Sequence, residues 1–371
     1  MPPEGDRPTL LTMRVMVAPD SFGETLTATE AAAAISRGWS AARPSDDVIL
    51  APQSDGGPGF VDVVASRRGT VRTVEVEGPL GQVVSASWLL DGTTAYIEAA
   101  AACGLGVLGG PPTAHSALKS SSYGVGQLIE AALAEGVATI YVGLGGSSCT
   151  DGGRGMVRAL GGLGEAAARL GGVDLVAATD VENPLLGEFG AARVFGPQKG
   201  ADPALVDMLE ELNRDWATVL ELECGRNVAD LSGAGAAGGI GAALFALGGR
   251  SESGASVVAE VTDQSALLAT VDLVLTGEGK FDSQSLRGKL VTRLATAGAG
   301  SGVQTLVFAG QVQLDDAQLH STGITAAYSI TEFAGSVEKS MSDAEHQLEL
   351  LAREVAGSFS ARSSRPTAYG P

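Results

Sequence analysis

One pattern recurs along this chain: a short, uninterrupted apolar run, then a loop of glycine, aspartate and serine, then a stretch of helical character. Apolar runs without polar alternation belong to strands buried on both faces, and strands that alternate with helices form parallel sheets. The first such unit is Arg14-Val-Met-Val-Ala-Pro-Asp-Ser-Phe, leading into an alanine-rich helix predicted over 27–39. Thr27 and Glu30 stand at the S/T-x-x-E spacing of a capping box, which satisfies free N–H groups at a helix start. A second strand, 48–51, runs into Ser54-Asp55-Gly56-Gly57. A third, 138–144, runs into the glycine-rich loop 145–153 and an apolar helix through Leu160. A fourth, 271–275, ends in a loop predicted over 276–282, and strands at 304–309 and 326–330 complete the series.

The middle of the chain reads differently. Residues 71–77 and 83–97 carry strand-like alternation, with Gly92 near a turn, which predicts a region containing a hairpin. Pro197-Gln198-Lys199-Gly200 precedes a charged amphipathic helix over 203–222, and Gly233-Ala-Gly-Ala-Ala-Gly-Gly opens another helix. The expected architecture is α/β, with one parallel-sheet domain (13–75 and 265–358) interrupted by an inserted second α/β domain (76–264). The termini, 1–12 and 359–371, are expected to be loose. A chain of 371 residues, 44% of them hydrophobic, can bury cores for both domains.

Charge and cysteine content narrow the function. A net charge of −19 argues against nucleic acid or an anionic membrane as partner. An enzyme for anionic substrates would then need backbone N–H groups, a few placed cations and a metal ion to attract them locally. No apolar run has the length of a membrane span. Cys103, Cys149 and Cys224 are few and far apart, which fits reduced thiols in the cytoplasm and neither a disulfide framework nor a zinc site. His115, His320 and His346 lie away from the glycine- and aspartate-rich loops, so histidine-based chemistry is not expected.

Polar loops at the carboxyl ends of parallel strands form the ligand crevice of such sheets. The loop 145–153, with Gly145, Gly146, Ser147 and Asp151, is the strongest phosphate candidate. Its glycines let backbone N–H groups approach an anion, and a helix start follows. Asp20 and Ser21 follow the first strand and Asp55 the second. Such carboxylates can hold Mg²⁺ through water or take the proton of a substrate hydroxyl, or they can simply cap turns. Asp180, Glu182 and Asn183 offer oxygen ligands for a hard cation or a polyhydroxy substrate, although Asn183-Pro184 is also an ordinary turn. Lys199 can supply a point charge. Glu278, Lys280, Asp282 and Lys289 crowd acids and bases together, as exposed ion pairs also would. No segment matches the P-loop signature, and Gly235-Ala-Ala-Gly-Gly-Ile-Gly lacks the preceding strand of a dinucleotide fingerprint.

In order and spacing, these segments resemble the type I glycerate kinase family. The resemblance runs from about residue 14 to about residue 356. It is carried by Ala18-Pro-Asp-Ser-Phe, Ser54-Asp-Gly-Gly, Gly78-Pro-Leu-Gly, Ile97-Glu-Ala-Ala-Ala-Ala-Cys-Gly-Leu, Tyr123-Gly-Val-Gly, 143–153, Asp180-Val-Glu-Asn-Pro-Leu, Phe195-Gly-Pro-Gln-Lys-Gly-Ala, Gly233-Ala-Gly-Ala-Ala-Gly-Gly and Thr276-Gly-Glu-Gly-Lys-Phe-Asp-Ser-Gln-Ser. It implies a flavodoxin-like parallel-sheet domain with an inserted α/β domain, and an active site in the cleft. It implies MgATP as donor, D-glycerate as acceptor and 2-phosphoglycerate as product in organic-acid catabolism, with a homodimer allowed. The roles it implies are catalytic for Asp20, Asp55 and Lys199. Substrate or phosphate binding falls to Ser21, Gly145, Gly146, Ser147, Asp151, Asn183 and Gln284, and metal binding to Asp180, Glu278 and Asp282. The chain departs from the family pattern at Gly23-Glu24, where relatives carry a lysine, and at Pro58, Phe60 and Thr150. A kinase for another small hydroxy acid, or a ligand-binding paralogue with weakened catalysis, are the alternatives.

Overall fold

The computed structural model describes residues 12–23, 25–283, 285–286 and 290–359, so Glu24, Gln284 and Lys289 lie outside the described residues. The strands, in chain order, are β1 (Arg14–Val17), β2 (Asp47–Leu50), β3 (Thr70–Glu77), β4 (Val83–Asp91), β5 (Thr94–Glu98), β6 (Thr139–Gly143), β7 (Asp174–Ala178), β8 (Arg250–Glu252), β9 (Leu273–Phe281), β10 (Gln304–Val312) and β11 (Ala326–Ser329). The chain divides into two compact units. One is built from the residues up to Pro52 and from Asp263 onward, the other from Gln53–Thr262.

The first unit holds a five-stranded sheet in the order β11-β10-β9-β1-β2, with every pairing parallel. Numbered within the unit, that order is 2-1-3-4-5, the flavodoxin-like arrangement, whose topological switch point lies between β1 and β9. Alternate residues of each strand point to opposite faces. Val15, Val17, Leu273, Leu275 and Phe308 therefore share one apolar layer with the helices Ala28–Ala42 and Ala344–Ser358. Met16, Ala18 and Val274 face the other way, onto Leu268 and Leu294. Covering both faces is what the uninterrupted apolar runs demand. The capping box expected at the first helix is present, with Thr27 Oγ1 accepting from Glu30 N and Glu30 Oε2 accepting from Thr27 N. Gly38 lets the two helices approach closely, because a Cβ there would strike Glu349 O and Ala352 Cβ.

The loop expected over 276–282 is instead mostly strand. β9 continues to Phe281 because β10 is long enough to pair with it, matching Ala309 to Glu278, Gln311 to Lys280 and Val312 to Phe281. Gly277 makes this possible: a side chain there would run into Phe308 O.

The second unit holds a six-stranded sheet in the order β3 to β8. The expected hairpin region is the antiparallel meander β3-β4-β5, and β5 to β8 are parallel. The sequence boundary after residue 75 moves to 52/53. β3 pairs with β4 along its whole length, from Thr70↔Leu90 to Glu77↔Val83, and the helix Phe60–Ala65 packs on β4 and β5. Residues 53–75 are thereby committed to the second sheet. Its core joins Trp88, Ile97, Leu128, Ile140, Val142 and Met156.

Candidate active site

In the first unit, the segment after β1 lies along β9. Ala18 N donates to Leu275 O at 2.7 Å and Asp20 N to Gly277 O at 2.8 Å, so Asp20 is held in register beside Gly277 and Glu278. Thr276 Oγ1 donates to Ala18 O at 2.8 Å and Phe22 is buried beneath, which together fix the turn. Asp20 Oδ1 accepts the Ser21 N–H at 2.7 Å, and both residues are half-buried. Asp20, Ser21 and Glu278 thus gather at the switch point, where flavodoxin-like sheets bind their ligands. Asp282 is committed differently: its Oδ2 lies 3.0 Å from Lys280 Nζ in a partly exposed ion pair.

In the second unit, the segment 54–59 crosses the carboxyl ends of β5, β6 and β7. Gly145 N donates to Gly56 O at 3.0 Å. Side chains added at Gly56, Gly145 or Gly254 would collide with Ala178 O, Gly57 Cα and Asp55 O, in that order. These three glycines serve backbone-on-backbone contact. Gly56 and Gly59 also hold φ of 90° and 92°, a conformation that side-chain-bearing residues rarely adopt. Asp55 is exposed on this segment, with Oδ1 accepting Gly57 N at 3.0 Å.

The loop 145–153 is tightly bound from within. Ser148 N donates to Cys103 O at 2.8 Å, Gly152 N to Gly238 O at 3.0 Å and Gly153 N to Asp151 Oδ1 at 3.1 Å. Those amides, with that of Gly145, are engaged by the protein, so an anion would meet the Gly146–Ser147 stretch. Asp151 is an internal brace. Its Oδ2 accepts Ser122 N, Ser122 Oγ and Gly155 N at 2.9, 2.9 and 3.0 Å. Lys199 is also internal, only 3% exposed, and its Nζ donates to Ser147 Oγ at 3.1 Å and to Cys149 O at 2.5 Å. Burial pulls its ammonium below the usual lysine range, against the opposing effect of Cys149, Cys103 and Asp151. Its charge therefore lies beneath the loop, where it orients Ser147.

Beyond β7, Asp180 is exposed, and its Oδ2 accepts Ala255 N at 3.3 Å. Asn183 closes a turn, with Nδ2 donating to Phe189 O at 2.8 Å. Among the described residues, no three His, Cys, Asp or Glu side chains converge as a metal cluster. Cys103 and Cys149 lie with sulfurs 3.7 Å apart, and that contact together with burial pushes the Cys149 thiol well up, so it stays protonated and unreactive.

Glu98 is the residue that the sequence reading passed over as one letter of an alanine-rich motif. It ends β5, in register with Gly143 of β6, and its Oε2 accepts Gly59 N at 2.9 Å. Burial pushes its carboxyl up to about 7, against the amides of Gly59, Val61 and Phe60, while the charge of Asp62 pushes it further up. The folded value lies above the ordinary 4.5, so between those values the folded chain binds more protons than the unfolded one. The contribution is full below the unfolded value and is lost as pH rises through about 7. Relative to Glu98→Gln, the wild type should lose about 3 kcal/mol of stability across that window, at ~1.4 kcal/mol per pKa unit. Urea midpoints of both proteins at pH 5 and pH 8 measure this, and parallel curves would remove the assignment.

The match to known proteins covers the same framework. The glycerate kinase family model matches residues 15–166 and 162–360. An uncharacterized protein of Mycobacterium bovis is 55% identical over 96% of this chain and 94% of its own. The glycerate 2-kinase of Escherichia coli is 36% identical over 94% of this chain and 98% of its own. The crystal structure of a putative glycerate kinase 2 from Salmonella typhimurium superposes with a TM-score of 0.73 at 35% identity, covering 93% of this chain and 97% of that one. With its two-unit α/β fold and its family match across both units, this chain is an enzyme of the glycerate kinase family.

Proposed function

We propose that the protein transfers the γ-phosphoryl group of ATP to D-glycerate, giving 2-phosphoglycerate and ADP, as a cytoplasmic step of organic-acid catabolism. The observation that carries this reading is the family match across both units, including the aspartate-bearing segments at their strand ends. The name of the Escherichia coli relative, glycerate 2-kinase, supports the 2-phosphate as product. Among the described residues, no helix is long and apolar enough to cross a membrane.

Asp20 or Asp55 accepts the proton of the glycerate hydroxyl. The freed oxygen attacks the γ-phosphorus in line as the bond to the bridging oxygen of ADP breaks. Such a transfer depends on positioning and charge neutralisation more than on covalent chemistry. Gly146 and Ser147 face the phosphates, with the charge of Lys199 beneath them, and Gly145 anchors the loop through its bond to Gly56 O. Ser21 and Gln284 bind substrate, and Asp151 and Asn183 act by shaping the loops that carry the contacts. Mg²⁺ keeps several waters and takes one or two carboxylates along with phosphate oxygens, so it needs no closed protein cage. Asp180, Glu278 and Asp282 are the proposed ligands. Asp282 would first have to leave Lys280.

An ADP-release assay with D-glycerate, L-glycerate and other small hydroxy acids tests the reading. Turnover with D-glycerate and a 2-phosphate product by phosphorus NMR is the expected result. Turnover only with another acid makes the protein a kinase for that acid, and binding without turnover makes it a ligand-binding paralogue. Phe60 gives the first alternative little support, because its ring is fully buried against Gly143 and Tyr96.

A further inference from the structure

The segment from Asp55 to the helix Phe60–Ala65 is Asp55-Gly-Gly-Pro-Gly-Phe, so it has almost no side-chain packing of its own. Its shape depends on what anchors it. The upstream end is held by Gly145 N on Gly56 O and by the close contact of Gly254 with Asp55 O. The downstream end enters a helix whose N-cap, Gly59, supplies no side-chain cap. The first N–H groups of a helix need acceptors, and a carboxylate there is also favoured by the helix dipole.

We propose that Glu98 is a positioning residue for Asp55, its carboxylate clamping the amide of Gly59 at the start of the helix so that the loop presents Asp55 in one orientation. Glu98 Oε2 sits 2.9 Å from Gly59 N, and the residue is fixed at the end of β5 by its register with Gly143. The clamp therefore ties the loop to the same strand ends that carry the 145–153 loop. Its titration near neutrality gives it a signature. The ionised form accepts the Gly59 amide at 2.9 Å, with the nearby amides of Val61 and Phe60 also favouring its charge, and protonation turns one oxygen into a donor and weakens the hold. Among the described residues, the charged group that acts most on it is Asp62, on the helix it caps. Activity should rise with pH through this range while the folding contribution of Glu98 falls, so presentation of Asp55 is held at a cost in stability.

This inference rests on the kinase reading for its kinetic arm, and an exchange arm stands apart from turnover. Steady-state kinetics with ATP and D-glycerate are measured from pH 5.5 to 9 for wild type and Glu98→Gln. Deuterium uptake is followed over the peptide spanning 55–65. Glu98→Gln should lose about tenfold to a hundredfold in kcat at pH 8, the range for a misplaced reacting group, with both KM values within about twofold. Its kcat should no longer rise through pH 7, and uptake at 59–61 should increase. An unchanged pH profile or unchanged uptake overturns the proposal. Absence of wild-type turnover sinks the kinase reading and leaves the exchange arm to decide the clamp. If Glu98→Gln fails to fold, uptake at 59–61 in the wild type decides instead. After correction for intrinsic exchange, it should rise as pH falls from 8 to 6, and a flat response overturns the clamp.

Discussion

Replacing Asp151 with alanine is expected to lower the unfolding free energy of the second unit by about 3–5 kcal/mol. The carboxylate serves Ser122 N, Ser122 Oγ, Gly153 N and Gly155 N, and Ser122 has no solvent exposure. Hydrogen bonds to a charged acceptor are worth roughly 1.5–3 kcal/mol each, and buried donors left without an acceptor cost about 1–3 kcal/mol. The sum is tempered because Asp151 is half-buried, so water can reach part of the gap. Asparagine should rescue little, since its amide would point a donor at one of these donors. The loss spreads further, because Ser122 Oγ also accepts Met156 N at 2.9 Å and so fixes the helix Arg154–Ala159. Urea unfolding followed by Trp88 and Trp216 fluorescence measures the effect. A change below about 1 kcal/mol would show that Asp151 is not the brace its contacts describe.

How much of this was readable beforehand follows from how local each signal is. The strands β1, β6 and β10 contain uninterrupted apolar runs, and the capping box of Thr27 and Glu30 spans three residues, so each is visible in a short window. The end of β9 is not, because Gly277-Glu-Gly-Lys reads as loop until β10 supplies a partner for it. Residues 53–75 follow the same logic, since only the pairing of β3 with β4 assigns them to the second unit. The site was legible as loops but not as contacts. Lys199 finds Ser147 and Cys149 across 52 and 50 residues, and no spacing rule separates a buried lysine from an exposed one. Glu98 finds Gly59 across 39 residues and lies in a motif whose alanines suggest packing alone. Candidate aspartates could be found by position, whereas the side chains that brace them could be found only in three dimensions.

That distinction predicts different behaviour for the aspartates assigned to chemistry. Asp20→Asn and Asp55→Asn should each leave stability nearly unchanged. Asparagine keeps an oxygen to accept Ser21 N in the first case and Gly57 N in the second, while the charge is removed and the other oxygen becomes a donor. The residue that takes the hydroxyl proton should then lose about 10²–10⁴ in kcat, the usual contribution of a positioned general base. The other, if it only orients substrate, should raise KM for glycerate with a smaller change in kcat. Asp20 sits at the switch point of the flavodoxin-like sheet, and Asp55 sits on a loop clamped at both ends. Either location can hold a carboxylate rigid enough for proton transfer. The kcat-against-KM split of the two variants, measured by ADP release with melting temperatures alongside, assigns the roles. Full activity in both would remove the general-base assignment from Asp20 and Asp55 alike. Loss of activity together with a fallen melting temperature would move the residue concerned to the bracing class of Asp151.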